Sequence, residues 1–195
     1  MKTVIVIANP KPTSFNHAIA DSVIKGLEEV EKEYEIWDLN KMKFNPVISQ
    51  GEFEKFGYAE YDPNLEHFIE VLTNECDQIV LIYPIIFFEM PAILKGFFDR
   101  VFIGTLIQEG GNPVDWKPSI NIEKTFIIET SLGDMWSIAT NQNKKQNEAL
   151  TAQVMRKIGL FNPIIETYKN LGKSTLEERQ QFLELIQKQF SKFDV

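Results

Sequence analysis

The sequence is poor in the side chains with which most enzymes carry out their own chemistry. Among 195 residues there is one cysteine, Cys76, and there are two histidines, His17 and His67. A single thiol excludes an intrachain disulfide and any cysteine-based metal cluster. No Ser/His/Asp or Cys/His arrangement can be read from the chain; the two histidines fall in separate predicted helices and each reads as a surface or packing residue. Metal-ligand spacings are likewise absent. Positive charge is in deficit, with 20 Lys and Arg against 28 Asp and Glu and a formal net charge of −8, so the basic footprint of a nucleic-acid partner is missing. No apolar run approaches the roughly 20 residues needed to span a bilayer, which argues against direct membrane insertion. The opening MKTVIVIA reads as a strand and not as a leader, so the expected home is a reducing cytoplasm. What is present, 44% hydrophobic and 25% charged residues, is the composition of an ordinary globular chain. Residues 1–195 are expected to form a single domain.

Alternating strands and helices organise that domain. Thr3 to Ala8 predicts a first buried strand and Ser14 to Lys32 a helix, with Ile19, Val23, Ile24, Leu27 and Val30 on one face. Tyr34 to Asp38 is the second strand. An irregular stretch to about Asp62 follows, too long for a plain connection and therefore functional or partly helical. Asp62-Pro63 opens a helix with Leu65, Phe68, Ile69 and Leu72 inward. After the third strand, Ile79 to Tyr83, Gly110-Gly111-Asn112-Pro113 marks a turn. Thr125 to Glu129 is the fourth strand, Gln142 to Gly159 a helix and Pro163 to Thr167 the fifth strand. The last helix opens on Ser174-Thr175-Leu176-Glu177, a capping-box pattern. The pattern predicts a doubly wound α/β fold.

Two loops stand out. Ile85-Ile86-Phe87-Phe88-Glu89-Met90 is apolar although loops normally run over the surface. It reads either as a core-filling or subunit-contact loop or as a flat apolar wall at the carboxyl end of a strand, where open α/β sheets bind ligands. Pro91 then suits the first position of a helix, with Ile93, Leu94, Phe97, Phe98, Val101 and Phe102 at helical spacing. Asp99 and Arg100 on that helix read as an ordinary charged pair. The other loop, Asn9 to Asn16, joins strand to helix without the glycines of a dinucleotide fingerprint. Thr13, Ser14 and the free N–H groups of the helix would cradle a phosphate; plain N-capping by Ser14 is the alternative.

The strings NPKPTSFN (9–16) and YPIIFFEMPAILKGFFDRVF (83–102), with Phe44-Asn45-Pro46-Val47 and a weaker match near Thr130, resemble the flavodoxin-like NAD(P)H:quinone oxidoreductases of the NAD(P)H dehydrogenase (quinone) and modulator of drug activity type. The resemblance implies a five-stranded parallel sheet with helices on both faces, a bound flavin (FMN or FAD), NADH or NADPH as reductant, a quinone-like substrate and a homodimer. Carried over by position, Asn9, Thr13, Ser14, Phe15 and Asn16 would hold the flavin phosphate, and Pro84, Ile85, Ile86, Phe87 and Phe88 would line the ring. Thr130, Ser131 and Gly133 would meet its polar edge.

Departures from the family pattern are Asn9 for histidine, Phe87 for tryptophan and Leu132 for glycine; a leucine there changes the third loop if that backbone takes positive φ. Trp136 stands at a tyrosine-like position with no histidine after it. It is expected as a stacking lid with Phe87 in a substrate pocket, or as plain burial. No catalytic acid or base is named, and a protein so short of reactive side chains suits a cofactor that carries the reaction. A one-electron carrier of the flavodoxin kind and a regulatory ancillary subunit of a potassium-efflux system are the other readings. A phosphate-accepting receiver domain needs an acidic pair after its first strand, and Asn9-Pro10 supplies none.

Overall fold

Runs such as VIVI and IVLI are apolar on both sides and fold stably only where both faces are covered. In the computed structural model, which describes residues 1–55, 58, 60–87, 89–108, 115–133 and 152–192, these runs form the middle of one sheet. The strands are β1 (Lys2–Ile7), β2 (Tyr34–Asp38), β3 (Cys76–Pro84), β4 (Leu106–Gln108), β5 (Trp116–Pro118), β6 (Lys124–Thr130) and β7 (Pro163–Tyr168). Five of them lie in the order β2-β1-β3-β6-β7, every pairing parallel. The short β4 and β5 pair antiparallel outside this sheet. That pair was not foreseen, and the Gly110–Pro113 turn lies outside the described residues.

The helices are α1 (Phe15–Glu29), α2 (Gln50–Glu54), α3 (Glu66–Asn74), α4 (Ala92–Phe97), which runs on into a π-turn over Phe98–Phe102, and α5 (Leu176–Phe190). Side chains alternate across the strands. Ile5, Ile7, Val80, Ile82, Phe126 and Ile128 face α1 and α5, meeting Ile19, Val23 and Leu27 from the one and Ile186 and Phe190 from the other. Val4, Val6, Ile79, Leu81 and Ile127 face the opposite way, onto Phe68 and Leu72 of α3 and Leu94 and Phe97 of α4.

The predicted boundaries shift for identifiable reasons. α1 stops three residues short of Lys32 because Glu31 takes φ +53°, and Lys32 N–H donates to the Leu27 carbonyl while Glu31 N–H donates to that of Glu28, a Schellman end. Pro91 is the N-cap of α4 and not its first residue. α2, hidden in the irregular stretch, is started by a complete capping box between Ser49 and Glu52. The box at α5 is one residue later than expected, Thr175 with Glu178, because the Ser174 hydroxyl donates to the Leu171 carbonyl and accepts from Arg179. Of the predicted helix 142–159, residues 152–157 are helical and 142–151 lie outside the described residues.

The order of the sheet creates the site. The chain leaves β1 toward β2 on one side and leaves β3 toward β6 on the other, so the loops after β1 and β3 part and leave a crevice at their carboxyl ends.

Candidate functional site

The loop after β1 is organised by two asparagines. The Asn9 Oδ1 accepts the Lys11 N–H at 3.0 Å, which leaves its Nδ2 to donate to Asn16 Oδ1 at 2.8 Å. The Thr130 hydroxyl, from the end of β6, donates to the same oxygen at 3.3 Å. Two donors on Oδ1 fix which end of the Asn16 amide is which. Its Nδ2 is therefore a donor, and it is buried without a partner in a residue only 2% exposed. An unmade hydrogen bond of this kind costs about 1–3 kcal/mol.

Asn16 is also the second residue of α1, whose first-turn N–H groups carry the positive end of the helix dipole. No acidic residue occupies that turn. Ser14 caps the helix, its hydroxyl accepting the His17 N–H at 3.4 Å, so capping and anion-cradling are compatible here. Thr13 is exposed in the same loop. Phe15 points elsewhere: its ring packs on Tyr168 at 4.9 Å and on Phe182 at 6.2 Å, so toward a ligand it has only its backbone N–H to offer.

The loop after β3 is tied to the same region. Pro84 pairs with Thr130 in the sheet, and the Ile85 N–H donates to the Thr130 carbonyl at 2.8 Å. Ile86 and Glu89 exchange both backbone hydrogen bonds, at 2.9 and 3.1 Å, closing a tight turn with Phe87 at its tip. Phe87 has φ +48° and is 94% exposed, which overturns a core-filling role. A bulky residue in the left-handed region costs of order 1–3 kcal/mol and persists where its surroundings demand it. Phe88 and Trp136, also expected at the ring, lie outside the described residues.

Gly96 explains the PAILKG helix: a Cβ there would stand 2.2 Å from the Pro46 carbonyl oxygen and 2.4 Å from its Cα. The glycine lets α4 lie against the Phe44–Val47 segment. Arg100 fastens the rest of that segment, with Nε on Glu52 at 2.7 Å, a second nitrogen on the Asn45 carbonyl at 2.6 Å and a third 3.6 Å from Asp62. The expected Asp99–Arg100 pair is not formed; Asp99 pairs with Lys95. Burial pushes the Glu52 carboxyl up, but the Ser49 backbone N–H and the Arg100 guanidinium outweigh it and hold it below the usual carboxylate range.

In the third loop Leu132 is exposed and is absent from the positive-φ positions, so the leucine sits where no glycine geometry is required. Gly133 has open space where a Cβ would be, and its carbonyl accepts the Ser131 hydroxyl at 2.9 Å. Beneath this loop the Tyr83 hydroxyl donates to Glu129 Oε2 at 3.1 Å and Thr167 donates to Oε1 at 2.8 Å. Burial, and then the Glu129 charge, push the tyrosine far above its ordinary range.

One arrangement escaped the sequence. Ser14 Oγ lies 2.8 Å from His17 Nδ1, and His17 Nε2 lies 3.1 Å from Asp38 Oδ2. Serine and histidine three apart at a helix start was the visible half. Asp38 joins them because β2 pairs with β1 and ends level with Ile7.

Fold and strand order together define a flavodoxin-like α/β protein whose loops after β1 and β3 part at the carboxyl ends of the strands. The chain belongs to the flavodoxin-like fold family, whose model matches residues 1–189. It is 35% identical over 190 residues to an uncharacterized NAD(P)H oxidoreductase of Haemophilus influenzae, covering 95% of this chain and 92% of that one. It is 32% identical over 145 residues to NAD(P)H dehydrogenase [quinone] 1 of Cavia porcellus, covering 66% of this chain and 53% of the relative, so it spans about half that enzyme's length. Among solved structures, the FMN-dependent NADH-azoreductase of Bacillus anthracis in complex with FMN superposes with a TM-score of 0.72 at 16% identity, over the whole of both chains.

Proposed function

We propose that the protein is a flavin-dependent NAD(P)H oxidoreductase; the flavin, when bound, would supply the two-electron chemistry that links NADH or NADPH to a quinone or similar electrophilic aromatic. The observation that carries this reading is Asn16, whose buried, unpartnered Nδ2 sits on the first turn of α1 beside the crevice. It suits a flavin phosphate, which supplies only acceptors. Asn9, Thr13, Ser14 and the N–H groups of Phe15 and Asn16 would hold that group. Pro84, Ile85, Ile86, Phe87 and Phe88 would cover the ring, and Thr130, Ser131 and Gly133 would meet its polar edge.

The chain's own part is to bind, orient and exclude water. The apolar tip at Ile86 and Phe87 would form the substrate side; Trp136, expected there by position, lies outside the described residues. The exposed ring of Phe87 and the exposed apolar residues Tyr58, Ile107 and Trp116 support a homodimer in which the pocket is completed by the second copy. The 195 residues form one domain, and a cytoplasmic home goes with it. Among the described residues no helix is long and apolar enough to cross a membrane.

The test is an absorption spectrum of the purified protein with the released chromophore weighed, which also decides between FMN and FAD. Yellow protein bleached anaerobically by NADH or NADPH and reoxidised by quinone is the expected result. Protein that refuses added flavin, or holds flavin that neither nucleotide bleaches, overturns the reading. Light scattering should return twice the chain mass.

A further inference from the structure

The Ser14–His17–Asp38 chain lies against the same cradle, and its hydrogen bonds are not free to run in either direction. Asp38 Oδ1 is occupied by the N–H groups of Asn40 and Lys41, at 3.2 and 3.1 Å. Its Oδ2, an acceptor, faces His17 Nε2 at 3.1 Å, so Nε2 carries a proton whenever Asp38 is ionised. In a neutral His17 the other nitrogen, Nδ1, is then a bare lone pair. The Ser14 hydroxyl, 2.8 Å away, must donate to it, and Ser14 turns a lone pair outward. When His17 is protonated, Nδ1–H donates to Ser14 Oγ instead. The hydroxyl proton is released, and Ser14 becomes one more donor on the anion cradle, alongside the first-turn N–H groups and Asn16 Nδ2.

From this geometry we infer that His17 is a positioning residue whose protonation aims the Ser14 hydroxyl, so that binding a phosphate group at the start of α1 is linked to proton uptake at His17. The inference rests on the flavin reading only for the identity of the ligand; the cradle and the relay belong to any phosphate monoester. The charged groups in the segments around the ring are Asp38 at the end of β2, Lys41 in the turn after it, Asp21 one turn further along α1 and Lys11 in the β1–α1 loop. Of these Asp38 is the one that pairs with the ring. The proton comes from solvent, and the one bond formed is the His17 Nδ1–H.

The experiment is a histidine-ring NMR titration of the flavin-free protein, alone and with FMN, riboflavin or inorganic phosphate. With two histidines in the chain, the His67→Gln variant assigns the signals. FMN and phosphate should raise the His17 midpoint by about one pH unit, and riboflavin, which lacks the phosphate, should not. From well below the free midpoint to well above the bound one, FMN affinity, read by flavin fluorescence, should weaken about tenfold in all, with about threefold of it falling between the two midpoints.

Two variants separate the relay from simple charge attraction. Ser14→Ala should abolish most of the midpoint shift, whereas an effect of ligand charge alone would leave it intact and overturn the inference. Asp38→Asn keeps the acceptor for Asn40 and Lys41 but presents an amide donor to Nε2. Neutral His17 can then carry its proton on Nδ1, so FMN should bind tightly and without pH dependence. Tight but still pH-dependent binding in that variant would also count against the relay. If FMN binds and the His17 midpoint does not move, the inference fails while the flavin reading stands. If phosphate moves His17 but neither flavin binds, the flavin reading fails and the relay stands.

Discussion

Asn16 ties α1 to the ends of two strands through one amide, since its oxygen accepts hydrogen bonds from Asn9 after β1 and from Thr130 at the end of β6. Asn16→Asp keeps that acceptor and replaces the spare donor with negative charge. The fold should survive, and flavin affinity should fall at least about tenfold, measured by fluorescence quenching. Phe87 makes the opposite case. Its ring is 94% exposed and its φ is +48°, so Phe87→Gly removes strain without emptying a core. Urea denaturation should find the variant as stable as the parent or up to about 1 kcal/mol more stable, while kcat/KM for quinone drops. At this scale the sequence was partly legible. Asn9, Asn16, Ile86 and Phe87 were picked out by motif, but the reason for Asn16 lies in a bond to Thr130, 114 residues away. Ser14, His17 and Asp38 were each visible, yet only the pairing of β2 with β1 brings the third to the other two.

The segment from Phe44 to Asp62 is held by two devices on one helix. Gly96 gives it room and Arg100 gives it anchors. Alanine for glycine in a helix ordinarily adds stability, by about 1 kcal/mol. Here the new methyl meets Pro46 backbone and side-chain atoms at 2.2 to 2.4 Å, so Gly96→Ala should instead lose about 1–3 kcal/mol, read as a lower urea midpoint. Arg100→Met strands the Glu52 carboxylate, in a residue 9% exposed, and should cost about 3–5 kcal/mol at pH 7. Glu52's folded value lies below its unperturbed 4.5, so the pair stabilises above that pH and its contribution is lost as pH falls through the folded value. The gap between parent and variant should therefore be widest near neutrality and narrow as pH falls below 4.5 toward the depressed folded value. The helices that span three or more turns were plain from periodicity. α2, five residues long, was not, because one turn shows no period; its Ser49 and Glu52 capping box was the signal available. β4 and β5, three residues each, carry no alternation long enough to read.

For the molecule as a whole, alternation of apolar runs and amphipathic helices was enough to give the doubly wound class and its five parallel strands. The strand order was not legible, since periodicity says nothing about which side of β1 the chain turns to next, and only the structure gives β2-β1-β3-β6-β7. Cys76 offers a readout of the whole assembly. It is 2% exposed at the start of β3, and burial pushes its thiol up to about 12, so a disulfide reagent at pH 8 should modify it only through global opening. The labelling rate should track urea stability across the variants above; a fast rate in the native protein would contradict the packing. The same strand order bears on how the protein is made. β1 can pair with β2 once Asp38 has been synthesised, but its other edge stays open until Pro84, because β3 is the neighbour on that side. At about 5–20 residues per second that interval lasts about 2–9 s. During it the VIVI edge is bare, so during synthesis this protein is a natural client for chaperones that shield unpaired strands on the ribosome.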